Sequence, residues 1–104
     1  MITLHYSEFF PTLEQKGKSS LVMFSSSRCG SCRSLKNKLE ELEDLFPFEL
    51  YVIDATDAPG LIEEFSIHHL PQLLLYEDGL FHSFFNPHLR QNLLEQSIEA
   101  LKQP

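Results

Sequence analysis

The side chains best suited to chemistry are Cys29 and Cys32, the entire cysteine content of the chain. They stand as Cys29-Gly30-Ser31-Cys32, directly after Ser25-Ser26-Ser27-Arg28. A disulfide scaffold needs more cysteines than two, and a structural zinc site needs four ligands. Two thiols at this spacing point instead to redox exchange. One thiolate attacks a disulfide, and its neighbour breaks the mixed disulfide that results. Two plainer readings stay open beside it: ordinary reduced thiols, or half of a zinc site completed by histidine.

The flanking segments position the pair. Leu21-Val22-Met23-Phe24 is a continuous apolar run of the kind found in strands buried on both faces. After the cysteines, Leu35, Leu39, Leu42, Leu45 and Phe46 recur at helical spacing with Lys and Glu between them, until Pro47. Cys29 therefore sits where a buried strand ends and a long helix begins. Free N–H groups and the positive end of the helix dipole there lower a thiol pKa below its ordinary value of about 8.5. Cys29 is expected to be the exposed nucleophile, and Cys32, one turn inward, the resolving thiol. Gly30 leaves room for an incoming backbone.

The remaining pattern completes an α/β order. Ile2 and Leu4 suggest a weak first strand. Ser7 can cap a helix carrying Phe9, Phe10 and Leu13 inward, with Gly17 ending it. Residues 50–53 read as a third strand ending at Asp54, and Asp57 with Pro59 starts a short helix. Residues 72–76 and 80–85 read as two strands joined through Glu77-Asp78-Gly79, a hairpin signal. Leu89, Leu93, Leu94, Ile98 and Leu101 mark a last helix. The expected architecture is a central mixed sheet of about five strands, ending in an antiparallel hairpin and flanked by about four helices. One domain spans residues 1–104.

Composition narrows the partners. The chain has 104 residues, is 42% hydrophobic with nine Phe, and carries a formal charge of −7. That size and apolar content suit one packed domain. An acidic surface repels nucleic acid and anionic lipid. No apolar run approaches the roughly 20 residues needed to cross a bilayer. The start has neither a basic region nor a long apolar one, so no secretory signal is read there. A monomer in a reducing cytoplasm is expected.

Several segments together resemble the thioredoxin family over nearly the whole chain. They are Leu21-Val22-Met23-Phe24 leading to Cys29-Gly30-Ser31-Cys32, then Val52-Ile53-Asp54, Pro59-Gly60, and the run from Phe65 through His68-His69-Leu70-Pro71-Gln72 to Asp78-Gly79. The resemblance implies the thioredoxin fold and a protein-disulfide oxidoreductase. Its substrates would be protein disulfides, and a protein or small-thiol donor would return the electrons. The redox-active disulfide between Cys29 and Cys32 would serve in place of any cofactor or metal. It also implies a cis Pro71 beside the cysteines. Leu70, Pro71, Gly30 and Ser31 would then form the substrate groove, where a peptide adds like a strand.

Departures from the family pattern are specific. Arg28 stands where a Trp is usual, and the chain has no Trp. Ser31 replaces a Pro, which implies a less strongly reducing couple. The buried acid and its Lys partner would fall at Met23 and Leu50, leaving Cys32 without an obvious base. A Gly expected near the site is replaced within Asn86-Pro87-His88. Arg28 and His69 are candidate modulators of the Cys29 thiolate, and His68-His69 could bind metal with the cysteines. Phe81, Phe84 and Phe85 are expected mainly in the core, or else on a partner surface. These departures keep a second reading in play: a weakly active or non-catalytic binding module of the same fold.

Overall fold

The computed structural model of the chain describes residues 1–85. The expected last helix and the Asn86-Pro87-His88 segment lie outside the described residues. In chain order the elements are β1 (Ile2–Thr3), α1 (Phe9–Leu13), β2 (Ser20–Ser25), α2 (Gly30–Glu41), β3 (Glu49–Asp54), α3 (Pro59–Glu64), β4 (Gln72–Glu77) and β5 (Leu80–Phe85). The strands form one mixed sheet in the order β1-β3-β2-β4-β5. β3 pairs in parallel with β1 and β2, whereas β4 runs antiparallel to β2 and β5.

The apolar runs are continuous because the three middle strands are covered on both faces. Period-two alternation divides them between two core layers. Val22, Phe24, Tyr51, Ile53, Leu74 and Tyr76 pack with Phe9, Leu13 and Leu61 on one side. Leu21, Met23, Leu50, Val52, Leu73 and Leu75 pack against Leu35 and Leu39 of α2 and Leu42 just after it on the other. A one-residue slip of β2 would exchange the layers, so its register is firmly set.

Helix starts differ from expectation in instructive ways. The first cap is His5 rather than Ser7. Its Nδ1 accepts from the Ser7 N–H at 3.3 Å, and Glu8 accepts from the His5 N–H at 3.3 Å. This capping box opens a single 3-10 turn (Tyr6–Glu8) before α1, which stops at Leu13, well short of Gly17. Asp54, not Asp57, caps the turn before α3 by accepting from the Thr56 N–H at 2.9 Å. Likewise α2 ends at Glu41, and Glu43–Leu45 is a separate 3-10 turn.

Asp78 and Gly79 both have positive φ, 53° and 74°, as a two-residue hairpin turn requires. This turn docks on the loop after α1. Gly17 N–H donates to Asp78 Oδ1 at 2.5 Å, and Gly79 N–H donates to the Lys18 carbonyl at 2.9 Å. A Cβ at position 79 would come within 2.7 Å of the Gln15 carbonyl oxygen.

Beyond the turn, Tyr76 pairs with Phe81 and Leu75 with Ser83, so His82 is an extra residue in β5. That bulge turns Phe81 and Phe84 to the same face. They are 41% and 45% exposed, which corrects the expectation that these rings are mainly core; Phe85 alone of the three packs against the α2-side layer.

Candidate active site

β2 is the central strand, and its end delivers the short Ser26–Arg28 loop to α2. Cys29 is the N-cap of α2, with extended φ −99° and ψ 107°. Its sulfur accepts from the Cys32 N–H at 3.2 Å, satisfying one of the orphan donors of the first helical turn. The Ser31 hydroxyl lies 3.3 Å from the same sulfur, and the Cys29 N–H donates to the Ser26 carbonyl at 3.2 Å. Both cysteines are reduced, Cys29 half-buried and Cys32 fully buried.

Opposite them is the loop before β4. The Leu70–Pro71 peptide bond is cis, and the Leu70 carbonyl faces the Cys29 sulfur at 3.8 Å. Leu70, about forty residues from Cys29 and Ser31, is thus brought beside them where β2 ends and β4 begins. Gly30 faces open space, since a Cβ there would meet no atom within 4 Å. Packing within this chain therefore does not demand glycine at that position.

The two thiols are driven apart electrostatically. The Cys29 pKa is lowered, first by the hydrogen bond from the Cys32 side chain, then by the Ser31 hydroxyl, and further by the backbone N–H groups of both residues. The Cys32 pKa is raised, first by burial and then by the hydrogen bond its thiol gives to Cys29. The Ser26 backbone and the Ser25 side chain work in the opposite direction on Cys32 without overcoming burial. The two shifts run in opposite directions, toward the thiolate at Cys29 and toward the protonated thiol at Cys32.

Ser25 and Ser26 were not distinguished in sequence. Their only signal was a hydroxyl-rich run between strand and cysteine. Met23 and Leu50 are both fully buried in the α2-side layer, so the sites of the expected acid and Lys hold a dry apolar contact. The Arg28 guanidinium has no hydrogen bond or ion pair among the described residues, and it is not among the groups that lower the Cys29 pKa. His68 and His69 are exposed and border a cleft of about 480 Å³ that Ser26, Thr56, Ile62 and Leu70 also line. Among the described residues no His, Cys, Asp and Glu cluster could hold a metal ion. No described helix is long and apolar enough to cross a membrane.

Residues 1–100 match the Thioredoxin family profile. The chain belongs to the thioredoxin family. It is 36% identical over 63 residues to Thioredoxin-2 of Pyricularia oryzae and 33% identical over 75 residues to the chloroplastic Thioredoxin X of Arabidopsis thaliana. These matches cover 60% and 70% of this chain but 37% and 41% of the relatives, so it spans about two fifths of their length.

Among solved structures, a thioredoxin from Trypanosoma brucei brucei superposes with a TM-score of 0.81 at 15% identity, covering 100% of this chain and 92% of that one. Mitochondrial Thioredoxin 3 from Saccharomyces cerevisiae, in its oxidized form, gives 0.78 at 20% identity, covering 96% and 94%. Identities this low speak for the fold alone. The fold is the thioredoxin fold, with a mixed five-stranded sheet and three α-helices among the described residues.

Proposed function

We propose that this thioredoxin-family chain is a thiol–disulfide oxidoreductase that reduces protein disulfides through Cys29 and Cys32. The observation that carries the reading is the Cys29 sulfur capping α2, lowered in pKa and reachable, with the Leu70 carbonyl 3.8 Å away. The Cys29 thiolate attacks one sulfur of a substrate disulfide. A mixed disulfide forms, the substrate S–S bond breaks, and the leaving thiolate takes a proton from water. Cys32 then loses its proton and attacks the Cys29 sulfur, closing the disulfide within the chain and releasing the second substrate thiol. Two electrons and two protons pass to the substrate. A dithiol donor, protein or small molecule, returns them.

Substrate backbone aligns along Leu70 and Pro71 in the manner of an added strand, with Gly30 and Ser31 on the opposite wall. The second attack is the slow one. Burial holds the Cys32 proton on, and Met23 supplies no base to remove it. The setting is a reducing compartment such as the cytoplasm, and the working form is the monomer.

Dithiothreitol-driven reduction of insulin tests the reading. Native protein accelerates turbidity and Cys29→Ser abolishes the effect, while Cys32→Ser accumulates a mixed disulfide visible by mass. Native protein without activity, with its thiols confirmed free, overturns the reading. Stopped-flow traces should show a fast first attack followed by slower closure. A single phase with no lag between substrate cleavage and release removes the slow-closure step.

A further inference from the structure

Charge is unevenly spread over this acidic molecule. No Asp or Glu occurs between Glu14 and Glu40, and within that stretch Arg28, Arg33, Lys36 and Lys38 fall in residues 28–38. Elsewhere in residues 1–85 the only basic Lys or Arg side chains are Lys16 and Lys18. The cations thus gather on the loop and helix that carry the cysteines.

Two of them border a built cleft. It has a volume of about 270 Å³ and lies where the carboxyl ends of β2 and β3 meet the first turns of α2. Ser26, Ser27, Arg33, Lys36 and Asp54 give it polar walls. Arg33 Nη1 donates to the Ser27 carbonyl at 3.2 Å, which holds the guanidinium at the cleft while leaving its other N–H groups available. Half-buried Lys36 has no ion pair among the described residues, whereas Lys38 on the neighbouring face is paired with Glu41 at 3.7 Å. Asp54 is the one acid in the wall, and its Oδ1 accepts from the Thr56 N–H. Ser26 lines both this cleft and the one beside Leu70, and its carbonyl accepts from the Cys29 N–H. The cleft is therefore one residue removed from the nucleophile.

We propose that the Arg33–Lys36 cleft selects disulfide substrates carrying carboxylate side chains beside the attacked cysteine, binding those carboxylates while Cys29 reacts. The inference rests on the oxidoreductase reading above. Two unpaired cations in a concave, partly enclosed site attract carboxylates more strongly than the same charges on open surface, and salt weakens the attraction. From Glu40 to residue 85 the chain carries acids and no Lys or Arg, so the charge pattern also favours approach of an acidic partner by way of this cleft.

The test uses reduced native protein and three peptide disulfides of one sequence, with Glu, Gln or Lys flanking the cystine. Initial exchange rates are measured at low and at high salt. The acidic peptide should react about five- to tenfold faster than the neutral one at low salt, the basic one slower still, and high salt should compress the series. Arg33→Gln with Lys36→Gln should bring the acidic-to-neutral ratio close to one while the neutral peptide keeps its native rate. Each single substitution serves if the double variant loses its native circular dichroism. Equal native rates for the acidic and neutral peptides, or a ratio that survives the substitutions, overturn the proposal and leave the oxidoreductase reading standing. Failure of all three peptides to react overturns that reading and the proposal with it.

Discussion

At Cys29 a sulfur occupies the place that an oxygen side chain usually holds at a helix start, and the same N–H that caps the helix stabilises the thiolate. The Ser31 hydroxyl adds a second contact to that sulfur. Ser31→Ala should raise the Cys29 pKa toward that of a free thiol. At pH 7 the first attack should then slow about threefold, the loss expected of one modest hydrogen bond to a charged group. Thiolate absorbance followed against pH checks the direction. Native Cys29 should titrate below the ordinary thiol range and Cys32 above it, so reactivity toward a small disulfide rises with pH in the lower range first. The cysteine pair was legible in sequence because its signal is spacing plus a strand-to-helix junction. The parts played by Ser25 and Ser26 were not, since they depend on how a loop turns in three dimensions. His5 was missed as a cap for a related reason: a ring nitrogen serves only in one tautomer and one backbone geometry.

Elements were legible wherever burial wrote a periodic pattern. β2, β4 and the leucines of α2 were read from apolar runs and helical spacing. The runs hold, and the helical pattern holds through Leu42 but not at Leu45, which lies in a 3-10 turn and is 48% exposed. Boundaries were less legible, because caps and 3-10 turns are decided by local hydrogen bonds rather than by hydropathy. The docking of the β4–β5 turn was also hidden, since residues 15–18 and 78–79 are far apart in sequence. Gly79→Ala should destabilise the fold by about 1–3 kcal/mol, measured by urea unfolding, because φ is 74° and the added Cβ would press on backbone at Gln15. On β2, Met23 lies opposite Val52, with Leu50 one diagonal step away on the same face. Met23→Asp should cost about 3 kcal/mol or more by placing an unpaired carboxylate in that layer. Adding Leu50→Lys should recover part of the loss, since the long cation reaches the diagonal neighbour. Equal stability of the single and double variants would show that no pair forms.

For the molecule as a whole, Tyr76 is a gauge of integrity. It is 1% exposed, and burial, with lesser contributions from Glu14 and Glu64, pushes its pKa up to about 12. The unfolded chain gives up this proton near pH 10, so between pH 10 and 12 it binds fewer protons than the folded form. Stability should therefore be intact below about pH 10 and fall by about 1.4 kcal/mol per pH unit above it, which denaturant midpoints in alkaline buffer will check. Strand order was the least legible feature at this scale, because pairing partners leave no mark on a single strand's pattern. It has a dynamic consequence. β2 is hydrogen-bonded to β3 along one edge and β4 along the other, so its amides should be among the slowest to exchange with solvent, which hydrogen–deuterium exchange will check. Cys29, four residues beyond the end of β2, is thus tethered to the strand expected to open last, while amides of β5 at the rim should exchange sooner.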